Sequence, residues 1–255
     1  GWWKIGYPEY FGKMINSPNF IGIGVSIDGQ ELDLNVEDFV SYRRELDMEK
    51  GLLKRSFEIK RSGKTFQIDV ERFVSIDTKE ICGIKYSVKA INSEALVEFT
   101  PYLDADVENE DSNYEEKFWQ VLDRGAKENT GYLVSKTIVS SLYSDQGQDG
   151  KFEAIVSNDS VLTRSGLKIG PGQSVSLEKI IATTTTRDHK EEDLAHTAGD
   201  LARVAAESGY EKLFERHAIK WRQRWDIADV VIKNNPKLQQ GIRYNIFQLF
   251  STYYG

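Results

Sequence analysis

The sequence predicts a mainly β chain, an antiparallel β-sandwich that runs into a helical C-terminal quarter. Three observations carry this. Apolar residues alternate at period two through most of the first three-quarters. Turn-forming pairs such as Asp28-Gly29 separate the alternating runs. From Asp188 onward the apolar spacing changes to three and four residues.

Ile21, Ile23, Val25 and Ile27 alternate with Gly22, Gly24 and Ser26. Asp28-Gly29 accepts the positive φ of a hairpin turn, and Leu32 and Leu34 resume the alternation. Leu53, Phe57 and Ile59 share a face, Arg61-Ser62-Gly63-Lys64 turns the chain, and Phe66, Ile68 and Val70 return. Ile84, Tyr86, Val88 and Ala90 make another face. Arg72 falls on the apolar parity of its run and Phe73 falls off it, which predicts a bulge or an exit from the core. Residues 132–139, 151–156 and 174–184 read as later strands, and 183–186 as a strand end. Residues 104–113 and 144–150 read as weakly structured.

Asp188 with Glu191 three residues on has the form of a capping box. Leu194, Ala198, Leu201 and Ala205 then follow helical spacing, with Gly209 as the stop. A second helix carries Phe214, Ala218, Trp221 and Trp225. Residues 229–233 read as a short strand. Asn235-Pro236 is a cap followed by proline at the first helical position, and Leu238, Ile242, Asn245, Leu249 and Tyr253 continue helically. That last apolar face has nothing downstream to cover it, and the chain starts at Gly1 rather than Met, so the sequence reads as a piece of something longer.

The 33 basic and 40 acidic residues give a formal net charge of −7, which argues against a nucleic-acid binder and a polybasic membrane-surface protein. No 18-residue apolar run exists, so no transmembrane helix is expected. One cysteine, Cys82, excludes an intrachain disulfide and a cysteine-based zinc cluster; it reads as a buried strand residue.

Short motifs assign no chemistry. Asp104, Asp106, Glu108, Glu110 and Asp111 invite a calcium reading, but Asn109 stands where an EF-hand loop needs glycine, and the stretch reads as a solvated acidic loop. His189 and His196 are seven apart on one predicted helix, too far to share a metal, and His217 reads as a packing or hydrogen-bonding group. No Gly-x-Ser-x-Gly elbow, dinucleotide fingerprint or P-loop is present. Asp69 and Glu71 share one strand face, opposite in parity to Phe66 and Val70. They read as a solvated outer face rather than a glycosidic acid pair. Trp2, Trp3, Tyr7, Tyr10 and Phe11 crowd one Gly/Pro-punctuated segment. It reads as a carbohydrate-facing loop, with Trp2, Trp3 and Tyr7 as rim candidates, or as a plug against a neighbouring domain. The first alternative makes the chain a carbohydrate-binding module.

Three longer stretches resemble one family. Gly1-Trp2-Trp3-Lys4-Ile5-Gly6-Tyr7-Pro8-Glu9-Tyr10-Phe11-Gly12-Lys13 resembles a segment near the start of the disaccharide phosphorylases of glycoside hydrolase family 65. Asn109-Glu110-Asp111-Ser112-Asn113-Tyr114 with Phe118-Trp119 resembles their mid-sandwich segment. Trp221-Arg222-Gln223-Arg224-Trp225-Asp226, then Gln239 to Phe250 and Thr252-Tyr253-Tyr254-Gly255, resembles their linker and first barrel helix. The chain is most similar to the maltose-cleaving members, with other disaccharide phosphorylases and the family's hydrolases as alternatives.

The resemblance implies a β-sandwich over 1–187, a helical linker over 188–234, and over 235–255 the first helix of an (α/α)6 catalytic barrel. It implies an enzyme that cleaves an α-glucosyl disaccharide with inorganic phosphate, inverting the anomeric centre, with a barrel glutamate beyond residue 255 as general acid. It implies a cytoplasmic homodimer with no metal or organic cofactor. Family members begin several dozen residues before Gly1, so the first sandwich strands are expected upstream, and no catalytic residue is expected here. A sandwich without those strands would present unpaired edges and self-associate.

Overall fold

The computed structural model describes residues 15–109, 117–127, 130–137, 141–147 and 153–253. Among the described residues thirteen strands run in chain order: β1 Ile23–Ile27, β2 Gln30–Glu31, β3 Phe39–Asp47, β4 Leu52–Arg61, β5 Lys64–Val74, β6 Ile81–Ala90, β7 Ala95–Asp104, β8 Trp119–Lys127, β9 Thr130–Thr137, β10 Ser141–Gly147, β11 Glu153–Val156, β12 Ser160–Ile169 and β13 Ser174–Thr185. They form an eight-stranded sheet ordered β3-β4-β5-β6-β13-β10-β9-β8 and a five-stranded sheet ordered β11-β12-β7-β1-β2. The strand pairings are antiparallel.

The sheets face each other over a shared core. Val25, Ile27, Val97 and Phe99 of the smaller sheet meet Phe57, Ile59, Phe66, Ile68, Val88 and Ile181 of the larger. Each such side chain, fully buried, contributes on the order of 2 kcal/mol. The Asp28-Gly29 turn has positive φ at both residues, as the hairpin requires. Asp28 also accepts from the Leu96 N–H (2.9 Å) and from Lys64 Nζ (2.7 Å). β2 is only two residues long; Leu32 and Leu34 pack on the core without extending it.

A 3₁₀ turn, Glu191–Asp193, leads into α1 (Leu194–Ser208); α2 (Tyr210–Ala228) and α3 (Pro236–Thr252) follow. α1 and α2 cover the outer face of the eight-stranded sheet. There Leu52, Phe73, Ile81, Ile180 and Ala182 pack under Leu194, Ala198, Ala202, Ala205, Tyr210 and Leu213. Under these helices the eight-stranded sheet is buried on both faces, while most of β3 and Asp69 of β5 stay exposed. This overturns the bulge expected at Arg72 and Phe73. β5 stays in register with β4 and β6 through both residues. Arg72 keeps the sandwich-facing parity, and Phe73 is buried because the helices cover its side.

Three further expectations are corrected. Asp188 does not cap α1: its carboxylate pairs with Lys79 at 2.8 Å, and three acidic residues before Leu194 sit favourably at the helix N-terminus instead. Residues 229–233 form no strand; Val230 and Ile232 hydrogen-bond the Gln239 side chain from an irregular segment. Within 144–150, residues 144–147 belong to β10, which β9 and β13 pair from both sides, so backbone bonding orders a polar run with no apolar alternation. Residues 148–150 lie outside the described residues.

Candidate functional site

Two features of the described residues are built for a role. One is the platform that α2 makes for α3. Phe73 touches Tyr210, Phe214 and His217, with ring centroids 5.3, 5.7 and 4.9 Å apart. His217 meets Trp221 edge-on, and Trp221 stacks on Phe247 of α3 at 4.7 Å and 18°. An aromatic column thus runs from the sheet to α3. Polar contacts fix the helix around it. Arg224 donates to the Phe250 carbonyl at 2.9 Å, and the Trp225 indole donates to the Met48 carbonyl at 2.9 Å. Arg243 grips both oxygens of Asp229 at 2.9 and 2.6 Å. The Asn235 side chain accepts from the Leu238 N–H at 3.0 Å, with Pro236 in the first turn, as the sequence predicts.

His217 is the hinge of the column and is buried. Its Nδ1 accepts from the Ile76 N–H at 3.2 Å, so its Nε2–H donates to the Gly51 carbonyl at 3.1 Å. Burial pushes its pKa down to about 4, against the weaker effect of the backbone bonds. The expected packing and hydrogen-bonding role holds. Gly51 sits in the β3–β4 turn at φ +62°, where any Cβ would overlap the Trp221 indole.

The opposite face of α3 is uncovered. Leu238, Tyr244, Leu249 and Tyr253 are 54, 47, 59 and 72% exposed. Three of them belong to the stripe read from the sequence, so that stripe is the free face. The docked face, Arg243, Phe247 and Phe250, was not singled out. Phe247 would have been found by asking which residue lies opposite that stripe.

The second feature is an opening between the sheets, a cavity of about 680 Å³ lined by 16–23, Arg55, Val70, Arg72, Ile84, Tyr86, Tyr102, Val107 and Glu108. Arg44, Leu53, Arg55, Val70 and Arg72 line a pocket of about 130 Å³ beside it. Two residues lining the larger cavity, Gly22 and Tyr102, accept from Lys179 Nζ through their carbonyls at 2.9 and 2.8 Å.

The other sequence candidates do not converge. Asp69 is exposed and Glu71 faces Lys54 at 3.7 Å. Asp106 pairs with Lys117 at 2.7 Å and Asp104 accepts from the Asp106 N–H, while Glu110 and Asp111 lie outside the described residues. Among the described residues no three His, Cys, Asp or Glu side chains cluster as metal ligands. His189 precedes α1 instead of lying on it and meets Glu80 at 3.1 Å; His196 is exposed beside Asp200. Burial pushes the Cys82 thiol up to about 12, so it is no nucleophile at neutral pH. Trp2, Trp3 and Tyr7 lie outside the described residues.

The comparisons agree with this architecture. The family model for the glycosyl hydrolase family 65 N-terminal domain matches residues 1–224. Maltose phosphorylase of Bacillus subtilis (strain 168) is 42% identical over 262 residues, covering 100% of this chain and 35% of that protein. Alpha,alpha-trehalose phosphorylase of Thermoanaerobacter brockii is 28% identical over 97% of this chain and 34% of that protein. A solved structure assigned as a kojibiose phosphorylase from the human microbiome superposes with TM-score 0.88 at 21% identity, covering 94% of this chain and 32% of that one. The chain spans about a third of the length of the curated relatives it matches. With the family model spanning the sandwich, α1 and most of α2, this chain belongs to glycosyl hydrolase family 65 through its N-terminal domain.

Proposed function

We propose that this chain is the N-terminal, non-catalytic part of an inverting disaccharide phosphorylase that converts maltose and phosphate to glucose 1-phosphate and glucose. Residues 1–187 would be its sandwich, 188–234 its helical linker and 235–255 the first helix of its (α/α)6 barrel. The observation that carries this is α3: one face is held by the Trp221–Phe247 stack, and the other is apolar and open to further helices. The sandwich buttresses that barrel and the homodimer. The reaction needs inorganic phosphate and no other cofactor, in the cytoplasm. In this reading Trp2, Trp3 and Tyr7 offer aromatic faces at the sugar rim. No helix among the described residues is long and apolar enough to cross a membrane.

The test is phosphorolysis by the protein extended to the length of its relatives, followed by NMR of the product anomer. Maltose and phosphate should give the β-anomer of glucose 1-phosphate. The α-anomer would contradict inversion, and phosphate-independent release of glucose would make the protein a hydrolase.

A further inference from the structure

We propose that Arg44, Arg55 and Arg72 form a binding site for an oxyanion: a phosphate, a sulfate or a carboxylate. Strand register brings them together. Arg44 of β3 lies directly opposite Arg55 of β4, and Arg72 of β5 is diagonal to Arg55, two residues beyond its partner Val70. All three share the sandwich-facing parity of Phe57 and Val70. Like charges directly opposite on neighbouring strands repel; Arg44 is exposed and water screens its charge, but Arg55 and Arg72 are half-buried, and an anion between the three would relieve what repulsion remains.

Nothing on these strands neutralises it. Glu45, Glu58, Asp69 and Glu71 alternate to the other face, where Glu45 pairs with Arg43 and Glu71 faces Lys54. Among the described residues none of the three arginines makes an ion pair. Glu108 lines the larger cavity without pairing with any of them. Arg55 lies 5.8 Å over the Phe57 ring, and among the described residues its buried Nε has no hydrogen-bond partner, an unusual state for a guanidinium donor. Burial, with the charges of Arg44 and Arg55, holds Arg72 below its ordinary pKa. The pocket of about 130 Å³ that they line is of anion size and shares Arg55, Val70 and Arg72 with the lining of the larger cavity. Guanidinium forks suit oxyanions because two parallel N–H groups meet two oxygens.

The experiment is equilibrium binding and thermal unfolding of the 255-residue chain in sodium phosphate and in sodium sulfate, against chloride at matched ionic strength. A free-anion site gives saturable binding and a Tm that rises with anion concentration by mass action. Arg55→Gln and Arg72→Gln should weaken binding at least about tenfold. Arg55→Lys should recover only part of the affinity, and Arg43→Gln, on the other face, should leave it unchanged. If the anion is instead a carboxylate of the polypeptide, added phosphate does nothing. Arg55→Gln and Arg72→Gln then lower the Tm of the protein extended to the length of its relatives. The proposal is overturned if neither anion binds and both substitutions leave the Tm unchanged or raise it in both proteins, the result expected from relief of repulsion alone.

Discussion

The ammonium of Lys179, on β13 of the larger sheet, donates to the carbonyl of Tyr102, on β7 of the smaller sheet, at 2.8 Å. A second bond to the Gly22 carbonyl of the segment leading into β1 makes this side chain a polar clamp across the sandwich. Burial pushes its pKa down to about 7 from 10.5. The folded state therefore disfavours the proton that the unfolded chain keeps, and stability should rise as pH climbs from about 7 toward 10.5. Cys82 bounds the useful window: its thiol is raised to about 12 from 9.0, which removes stability above pH 9. Urea unfolding between pH 7 and 8.5 should show a gain of up to roughly 1 kcal/mol per pH unit. Lys179→Met should flatten that rise; an unchanged slope would clear Lys179 of the effect.

His217 gives a second window with the same sense. Its folded pKa of about 4 lies below the ordinary 6.5, so stability is fully present above 6.5 and is lost as pH falls toward 4. His217→Gln removes the titration but also disturbs the bonds to Ile76 and Gly51. The destabilisation it causes should be smaller at pH 5 than at pH 7.5 by about 2 kcal/mol. Equal losses at the two pH values would mean that His217 is not held neutral by burial.

Two glycines at similar positive φ separate backbone strain from packing. Gly29 has open space around its missing Cβ, whereas a Cβ at Gly51 overlaps Trp221 and crowds His217 Nε2 at 2.7 Å. Gly29→Ala should cost about 1 kcal/mol, from strain alone. Gly51→Ala should cost roughly 3 kcal/mol or more, because the helix layer must shift. Denaturant midpoints of the two variants check the order.

Phe247→Ala should free α3 without unfolding the sandwich, since α3 holds no fully buried residue and its main apolar contact is the Trp221 stack. Hydrogen exchange should rise by an order of magnitude or more over Pro236–Thr252, while β4, β5 and β6 stay protected. Loss of protection across all of them would show that α3 and the sandwich unfold together.

Much of the fold was legible in period-two runs, because burial on one face writes alternation into a strand. β1, β4, β5, β6 and β13 all carry it. β7 carries it as well, with Ala95, Val97, Phe99, Pro101 and Leu103 buried at every second position, and the sequence reading passed over it. β3 and β10 left weaker traces: β3 is largely exposed, and β10 owes its place to backbone pairing with neighbours distant in sequence. The bulge expected at Phe73 failed for the opposite reason. A strand buried on both faces loses its alternation, and only the helices arriving from residue 194 onward explain Phe73. The arginine trio was invisible because it arises from the register between three strands, not from any spacing along one.

The most direct measurement is a coupled assay for glucose 1-phosphate with maltose and inorganic phosphate, run on the 255-residue chain and on the protein extended to the length of its relatives. The extended protein should form product and the 255-residue chain none above background. Phosphate-dependent product from the 255-residue chain alone would contradict a supporting, non-catalytic role.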